Sequence, residues 1–490
     1  MIQGIPPGWA ARWGDQQIQG MEWLQSGEAC LTAARRSGKR RRRCQTRHAV
    51  PTGIAFRLWF LLLYFTFDTL WQYDLVSLPI FGACALVNGS MKLERQADGT
   101  DRIGLLIVGV GGAVASTVAA GLEHIRQGAG DRVGLPLAQF NDAGLVPYEN
   151  IVIAGWDLNP ADLAAAAAHH GVLPPPMLSG LNDNLAAISP WAATVNTNFC
   201  RNVDGANRIK ANSHLGSVEQ IRQDIRGFSE RTGIKRLVVI NLASVESWPE
   251  DTAAFGTIAR FEQALLDNHP SISPAMLYAY AAIKEGIPYG NFTPSLGADI
   301  PALTALAKEL GIPVAGKDGK TGQTFLKTVL APAFRDRALH VDGWFSTNIL
   351  GNNDGFALDD SGSLASKIQT KGSVLDDILG YKVEDHVCQI HYYRPRGDDK
   401  EAWDNIDISG FLGQRMQIKV NFLCKDSILA APLVIEIARC LDLARNRGAG
   451  GAQVQLGLFF KSPMTINGAA AEHDFFRQQQ VLTDWLMQPA

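Results

Sequence analysis

A short apolar run that ends in a cluster of glycines constrains the fold more than any other feature of this sequence. Residues 103–108 (IGLLIV) have the length and character of a buried strand, and GVGGAVAST follows at 109–117. Helical spacing of apolar residues then continues through Leu122 and Ile125. A strand, a glycine turn and a helix in this order present backbone N–H groups to a pyrophosphate. A tight turn alone also uses glycine, but this context favours a dinucleotide site formed by Gly109, Val110, Gly111, Gly112 and Ala113.

Strands and helices alternate after this segment. Strands are predicted at 151–157, 236–244, 287–294 and 312–315, and helices at 274–285 and 300–310. This alternation predicts a Rossmann-type, doubly wound α/β parallel sheet.

Asp157 ends the second strand, where an acid accepts hydrogen bonds from an adenosine ribose and favours NAD over NADP. The alternative is a helix N-cap, since a helix is predicted to begin near Leu158.

The pattern changes after residue 324. A helix at 325–334 is followed by strand-like segments at 338–346, 387–393 and 415–423, a long helix at 427–445 and a strand-like run at 455–461. We predict an inserted α+β domain for catalysis and oligomerisation at 324–425, between an NAD-binding part at 91–323 and a C-terminal return at 426–490.

The first ninety residues differ from the rest of the chain. The basic run at 35–43 is typical of a charged tail or of a segment that contacts nucleic acid or anionic lipid. The apolar segment that begins at Leu58 would need two aspartates to reach the length of a membrane span, which is costly in lipid. We interpret 1–90 as an extension or as the product of a misplaced start before Met91, with a membrane anchor as the alternative.

Bulk composition narrows the class of protein. The net charge of −3 gives no argument for a nucleic-acid binder, and the seven cysteines form no Cys-x-x-Cys pair. We therefore predict a cytoplasmic protein in a reducing compartment, without a disulfide framework or zinc site.

The most polar part of the second half is predicted to carry the chemistry. GKDGKTGQT at 316–324, NILGNNDG at 348–355 and SKIQTK at 366–371 combine amides, carboxylates and ammonium groups with glycines. Buried polar groups need partners, so this mixture would make a poor core. A site for a small, anionic, hydroxylated ligand explains the mixture better.

Several of these segments together resemble the myo-inositol-1-phosphate synthase (inositol-3-phosphate synthase) family. The matching pieces occur in family order and are GVGG at 109–112, GWD at 155–157, KTGQT at 320–324, LGNNDG at 350–355, SK at 366–367 with Lys371, GDDK at 397–400 and CKDSILAAP at 424–432. The resemblance implies an NAD-dependent isomerase that converts D-glucose 6-phosphate to 1D-myo-inositol 3-phosphate. In that family the sugar is oxidised at C5, enolised, closed by an aldol step and reduced again.

The resemblance also assigns residues to roles. The lysines assigned to the reaction are Lys320, Lys367, Lys371, Lys400 and Lys461. Asp318 and Asp426 match acids that orient lysines or move protons, although either suits a turn or an N-cap. The residues that fit the phosphate cradle are Thr321, Gly322, Gln323 and Thr324. The residues assigned to the cofactor or substrate beyond the glycine turn and Asp157 are Asn352, Asn353, Asp354 and Asp398.

Some features remain open at this point. Lys367 and Lys371 also suit a solvated helix face, and 352–354 also suits a plain turn. Lys317 stands where many family members have a second acid, and Ala113–Ala115 where many have asparagines. Family members use either a divalent or a monovalent cation, and the family implies a homotetramer. The alternative functions are an NAD-dependent sugar-phosphate dehydrogenase and a non-catalytic NAD-binding regulatory protein.

Overall fold

The structure is a computed structural model that describes residues 101–140, 142–352, 355 and 374–488. The predictions for the basic run, the apolar segment and the start at Met91 lie outside the described residues. So do those for Asn353, Asp354, Lys367 and Lys371.

The first of the two β-sheets in the described residues is a parallel sheet of seven strands. Its order is β11-β6-β5-β4-β1-β2-β3. The strands are β1 (Ile103–Val108), β2 (Ile151–Asp157), β3 (Trp191–Ala192), β4 (Arg236–Asn241), β5 (Tyr289–Asn291), β6 (Pro313–Gly316) and β11 (Gly451–Ala452). Neighbouring strands in it pair in parallel. The predicted doubly wound α/β sheet is confirmed.

The helices are numbered along the chain. They are α1 (Ala113–Arg126), α2 (Leu163–His170), α3 (Pro175–Leu178), α4 (Asn182–Ala186), α5 (His214–Thr232), α6 (Ile258–Leu266), α7 (Pro274–Lys284), α8 (Pro301–Glu309), α9 (Gln323–Asp336), α10 (Val374–Leu379), α11 (Asp426–Asn446) and α12 (Phe475–Leu486). Helices cover both faces of the seven-stranded sheet.

The two faces of β1 show how the sheet is buried. Ile103, Leu105 and Ile107 pack in one apolar cluster with residues of α1 and α11. Leu106 and Val108 pack in another with residues of α5, α7 and α8. Since successive strand residues point to opposite faces, a continuous apolar run marks a strand buried on both sides.

A second sheet has the order β10-β9-β7-β8. Its strands are β7 (His340–Leu350), β8 (Asp385–Tyr392), β9 (Asp399–Ser409) and β10 (Arg415–Lys425). β7 pairs in parallel with β8 and antiparallel with β9, which pairs antiparallel with β10. One face packs on α9 and α10 around Trp344 and Ile406. The predicted second, mixed α+β layer is confirmed.

Two sequence predictions need correction. The run at 455–461 was expected to form a strand, but residues Val454–Phe459 form a 3₁₀ helix. Leu456 and Phe459, three residues apart, are both buried, which suits helical spacing rather than strand alternation. No strand was predicted between the segments at 387–393 and 415–423, but β9, which lies between them, is a strand of 11 residues.

Among the residues that the structure describes, no helix combines the length and apolar character needed to cross a membrane.

Candidate active site

The glycine turn between β1 and α1 presents backbone rather than side chains. Gly109 has a φ of 84°, which favours glycine. The N–H groups of Gly109 and Val110 donate to the carbonyl of Trp156, 2.8 and 3.1 Å away. Gly112 is the N-cap of α1 and gives no side-chain cap, and the first turn of α1 has no acidic residue. The first N–H groups of this helix are therefore suited to bind an anion.

Asp157 lies beside this turn, at the end of β2. Its Oδ2 accepts the N–H of Gly111 over 2.9 Å, and its Oδ1 accepts the N–H of Asn159 over 2.9 Å. Burial raises the pKa of this carboxyl group. The helix that follows is capped by Asp162, which accepts from Ala165. Asp157 is thus not the N-cap, and its position remains suited to a ribose.

A cavity of about 440 Å³ joins the glycine turn to the second half of the chain. It lies at the carboxyl ends of β1, β2 and β4, where ligands bind in such sheets. The predicted site residues that line it are Gly109, Gly111, Gly112, Ala113, Asp157, Asp318, Thr321, Asn352, Lys400, Asp426 and Lys461. Residues more than 350 positions apart in sequence therefore share one space.

The first of two lysine–aspartate pairs joins Lys461 to Asp318. Lys461 Nζ lies 2.6 Å from Asp318 Oδ1, and both side chains are buried. Two backbone hydrogen bonds align the segments, from Lys461 N–H to the Asp318 carbonyl over 2.7 Å and from Lys320 N–H to the Phe459 carbonyl over 2.8 Å. A buried ammonium group needs such a partner.

The second pair joins Lys400 to Asp426. Lys400 Nζ is 3.2 Å from Asp426 Oδ1, which also accepts the hydroxyl of Thr321 over 3.1 Å. Lys400 lies near the start of β9 and Asp426 is the first residue of α11. One carboxylate therefore connects the loop at Thr321, the second sheet and the helix that returns to the first sheet.

Asp398 holds other site residues in place. Its Oδ1 accepts from the hydroxyl of Ser427 over 2.8 Å and from Asn352 Nδ2 over 3.1 Å, and its Oδ2 accepts the N–H of Ser427. Burial raises the pKa of Asp398. Asp398 was predicted to contact the cofactor, yet it is not among the residues that line the cavity. It positions Asn352, which does line it.

Only Thr321 of the predicted phosphate cradle lines the cavity. Gly322 is the N-cap of α9, and Gln323 and Thr324 are buried in its first turn. Gln323 Nε2 donates to the carbonyls of Thr347 and Trp403, both 3.2 Å away. The side chain of Gln323 therefore fastens the start of α9 to the second sheet.

Lys320 is not among the cavity-lining residues. Its Nζ donates to Gln478 Oε1 on α12 over 2.5 Å and lies 5.8 Å from the centre of the Phe475 ring. Burial lowers the pKa of Lys320 to about 7. The sequence placed this lysine with the catalytic group, whereas the structure places its amine against the C-terminal helix.

Lys317, which stands where the family often has an acid, forms an ion pair with a nearby aspartate. Its Nζ lies 2.8 Å from Asp299 Oδ2 and 4.2 Å from the centre of the Trp248 ring. The substitution therefore adds no uncompensated charge beside the site.

Two further polar residues of the cavity wall escaped the sequence analysis. His170, the last residue of α2, has its Nε2 2.9 Å from the carbonyl oxygen of Gly111. Glu246 accepts the N–H of Ala275 over 3.0 Å, and burial raises its pKa to about 7. The only sequence signal for His170 was a histidine ending the helix after the second strand, which equally suits a helix-dipole partner.

Comparison with known proteins agrees with this arrangement. A family model described as myo-inositol-1-phosphate synthase, of an NAD-binding family, matches residues 131–487. Inositol-3-phosphate synthase 1 of Bacteroides thetaiotaomicron is 41% identical over 425 residues, which cover 81% of this chain and 97% of that protein. The chain belongs to the myo-inositol-1-phosphate synthase family. The resemblance seen in the sequence is confirmed.

Solved structures give the same result for the fold of this family member. The crystal structure of inositol-3-phosphate synthase from Caenorhabditis elegans has a TM-score of 0.73 at 26% identity, covering 79% of this chain and 85% of that one. A myo-inositol-1-phosphate synthase-related protein from Thermotoga maritima has a TM-score of 0.66 at 25% identity, covering 79% and 98%.

The described residues give no clear metal centre. Within them, no group of three or more His, Cys, Asp or Glu side chains is placed to hold a metal ion. The cavity contains the two lysine–aspartate pairs Lys461–Asp318 and Lys400–Asp426.

Proposed function

We propose that this protein converts D-glucose 6-phosphate to 1D-myo-inositol 3-phosphate with NAD as cofactor. The observation that carries the proposal is that two lysine–aspartate pairs, Lys461–Asp318 and Lys400–Asp426, share one cavity with the glycine turn. Family membership and the name of the Bacteroides relative support the same activity.

The residues present fit NAD. The first N–H groups of α1 suit its pyrophosphate, and Asp157 suits its adenosine ribose. When bound, NAD supplies hydride transfer at the sugar carbon, with no net redox change over the cycle. The chain's own task is to hold the sugar beside it, exclude water and stabilise oxyanions.

Lys400 and Lys461 are proposed to stabilise those oxyanions. Enolisation and aldol closure both place negative charge on sugar oxygens, and a buried ammonium group stabilises such charge more strongly than one in water. Asp318 and Asp426 orient the two lysines through the contacts described above. Thr321, which lines the cavity just before α9, is proposed to bind the phosphate.

The direct test is incubation of purified protein with glucose 6-phosphate and NAD⁺, followed by identification of the product. An isomerase yields an inositol phosphate without accumulation of NADH. A sugar-phosphate dehydrogenase would instead raise the NADH absorbance in proportion to substrate consumed, and a regulatory protein would leave the sugar unchanged. The same assay with EDTA, and with K⁺ exchanged for Na⁺, determines whether a divalent or a monovalent cation takes part.

From the sequence we expect Lys367→Ala to abolish turnover and leave NAD binding nearly intact. By resemblance, Lys367 and Lys371 match active-site lysines of the family, one of which faces the reacting oxygens while the other lies nearer the phosphate. Turnover and NADH binding by fluorescence measure the two effects separately. Wild-type rates in this variant would remove Lys367 from the mechanism.

A homotetramer assembled through the inserted domain at 324–425 is part of the proposal. One face of the second sheet supports it by exposing large apolar side chains. They are Phe345, Val387, Trp403 and Leu423, each 38–58% exposed. The strand pairings place all four on the same face. Such a patch marks an interface more often than a free surface.

Trp403→Asp is therefore expected to shift the protein from a tetramer to smaller species. A carboxylate at the centre of an apolar interface costs several kcal/mol per contact. Light scattering coupled to gel filtration gives the mass. Phe411→Asp, in the loop between β9 and β10 where Phe411 is 87% exposed, is the matched control and keeps the parent mass. An unchanged mass for Trp403→Asp would exclude this face.

A further inference from the structure

Gly111, in the middle of the glycine turn, is held from two sides by side chains of other elements. Its N–H donates to Asp157 Oδ2, and its carbonyl oxygen lies 2.9 Å from His170 Nε2. A carbonyl oxygen only accepts, so His170 must donate its Nε2–H. Both side chains line the cavity.

The carbonyl of Gly111 belongs to a peptide that rotates at little steric cost, since glycine lies on both sides of it. The same peptide carries the N–H of Gly112, which donates to the carbonyl of Gly109 over 3.0 Å. A flip would break this bond and the His170 bond together. It would also change which polar groups the turn presents to the cavity.

The start of α1 offers an anion no polar side chain of its own. The first turn of α1 begins with Ala113, Val114 and Ala115, which carry no polar side-chain atom, and Gly112 provides no cap. Anion binding here depends on correctly directed N–H groups alone. Whatever fixes the Gly111–Gly112 peptide therefore affects cofactor affinity directly.

We propose that His170 is a positioning residue of the cofactor site, which locks the glycine turn in its anion-binding conformation through the bond from Nε2–H to the Gly111 carbonyl. The inference rests on the proposed binding of NAD. Its specific content is that one hydrogen bond from α2, outside the glycine motif, sets how well the turn binds the pyrophosphate.

The protonation state of His170 suits this role. Burial lowers its pKa, and the charged or titratable groups around it are His169, Asp157 and Asp398. Near neutral pH the ring is therefore uncharged, and the donor is the single N–H of the neutral imidazole. The bond does not require a charged histidine.

The test measures NADH binding by fluorescence on the full chain, without sugar phosphate. His170→Leu should weaken binding roughly five- to twentyfold, the range expected for one lost hydrogen bond in a binding site. H170Q should restore most of the affinity, because its amide nitrogen can take the place of Nε2. H170N, whose nitrogen corresponds to Nδ1, should not. In the activity assay the loss should appear in KM for NAD rather than in kcat at saturation.

A remote histidine provides the matched control. His214 also has its Nε2 near a backbone carbonyl, that of His269 at 3.1 Å, but it does not line the cavity. His214→Leu should leave NADH affinity unchanged.

Equal affinity in H170L and the parent, or equal weakening in H170Q and H170L at matched melting temperature, would overturn the proposal. Failure of the parent protein to bind NADH would instead refute the proposed function.

Discussion

Lys461→Met is expected to lower kcat by about 10²–10³-fold, the loss typical of removing one group that stabilises an oxyanion. Methionine keeps most of the volume of the lysine stem and removes only the ammonium group. In the structure that group contacts Asp318 at the wall of the cavity. Steady-state kinetics with glucose 6-phosphate, at saturating NAD, measure the effect.

The same substitution should also destabilise the protein, and the two effects need separation. Removal of one partner of a buried ion pair leaves an uncompensated charge, which costs about 3–5 kcal/mol. Asp318 is 3% exposed, so loss of its ion pair with Lys461 would leave a buried carboxylate with one cation fewer beside it. The double variant Asp318→Asn with Lys461→Met removes that carboxylate as well. It should regain most of the stability and none of the activity.

An exposed lysine serves as the control for Lys461→Met. Lys284 pairs with Glu262 at 3.4 Å and both side chains are more than a third exposed. Lys284→Met should change stability by less than about 1 kcal/mol, as is usual for surface pairs, and should leave kcat unchanged. If Lys461→Met lost stability as expected but kept more than a tenth of parental kcat, Lys461 would not act on the substrate.

The sequence predicted correctly those parts of the fold in which neighbouring residues all favour the same local structure. β1 and the turn after it were predictable because six buried residues, five of them with apolar side chains, precede glycines that the geometry requires. β9 was missed because its inward positions are not all apolar. Lys400 points to the cavity, and Asp404 accepts hydrogen bonds from Trp344 and Ser346. Strand alternation is hidden wherever function replaces an apolar residue with a charged one.

The site shows a similar limit. Motif order pointed to Lys461 and Asp318, but nothing local indicates that residues 143 positions apart form a pair. The sequence also predicted that residues 316–324 form one functional loop. In the structure, Asp318 and Thr321 line the cavity. The side chain of Gln323 contacts the second sheet and that of Lys320 contacts α12. Side-chain direction within a loop depends on tertiary packing, which motif matching does not contain.

Lys320→Met is expected to stabilise the protein at neutral pH, which is unusual for a substitution in an active-site loop. Lys320 is 5% exposed, and its Nζ hydrogen bonds to the neutral amide oxygen of Gln478. Burial lowers its pKa from 10.5 to about 7, so the folded state disfavours the ammonium form. Below pH 7 such a shift lowers the free energy of unfolding of the parent protein by on the order of 3–5 kcal/mol. Loss of the bond to Gln478 offsets about 1 kcal/mol of the gain.

The dependence on pH identifies the cause. Between pH 7 and pH 10.5 the unfolded chain binds more protons at Lys320 than the folded chain does, so the parent gains stability as pH rises through this window. Below pH 7 Lys320 is protonated in both the folded and the unfolded state, so the full free-energy cost of burying its ammonium group remains. The advantage of Lys320→Met should thus be largest near pH 6–7 and shrink towards pH 10. Urea unfolding across this range measures it, with Lys284→Met as a control that shows no such trend.

Turnover in Lys320→Met decides between the two interpretations of this lysine. The family motif led us to predict a catalytic role, for which the variant would be inactive. The position of its amine against α12, away from the residues that line the cavity, leads us to expect kcat within about tenfold of the parent, because only loop positioning changes. A stable, correctly folded variant without activity would mean that Lys320 reaches the substrate in a conformation other than this one. If the variant were less stable than the parent, by an amount that does not change with pH, the ammonium group of Lys320 would have a compensating partner.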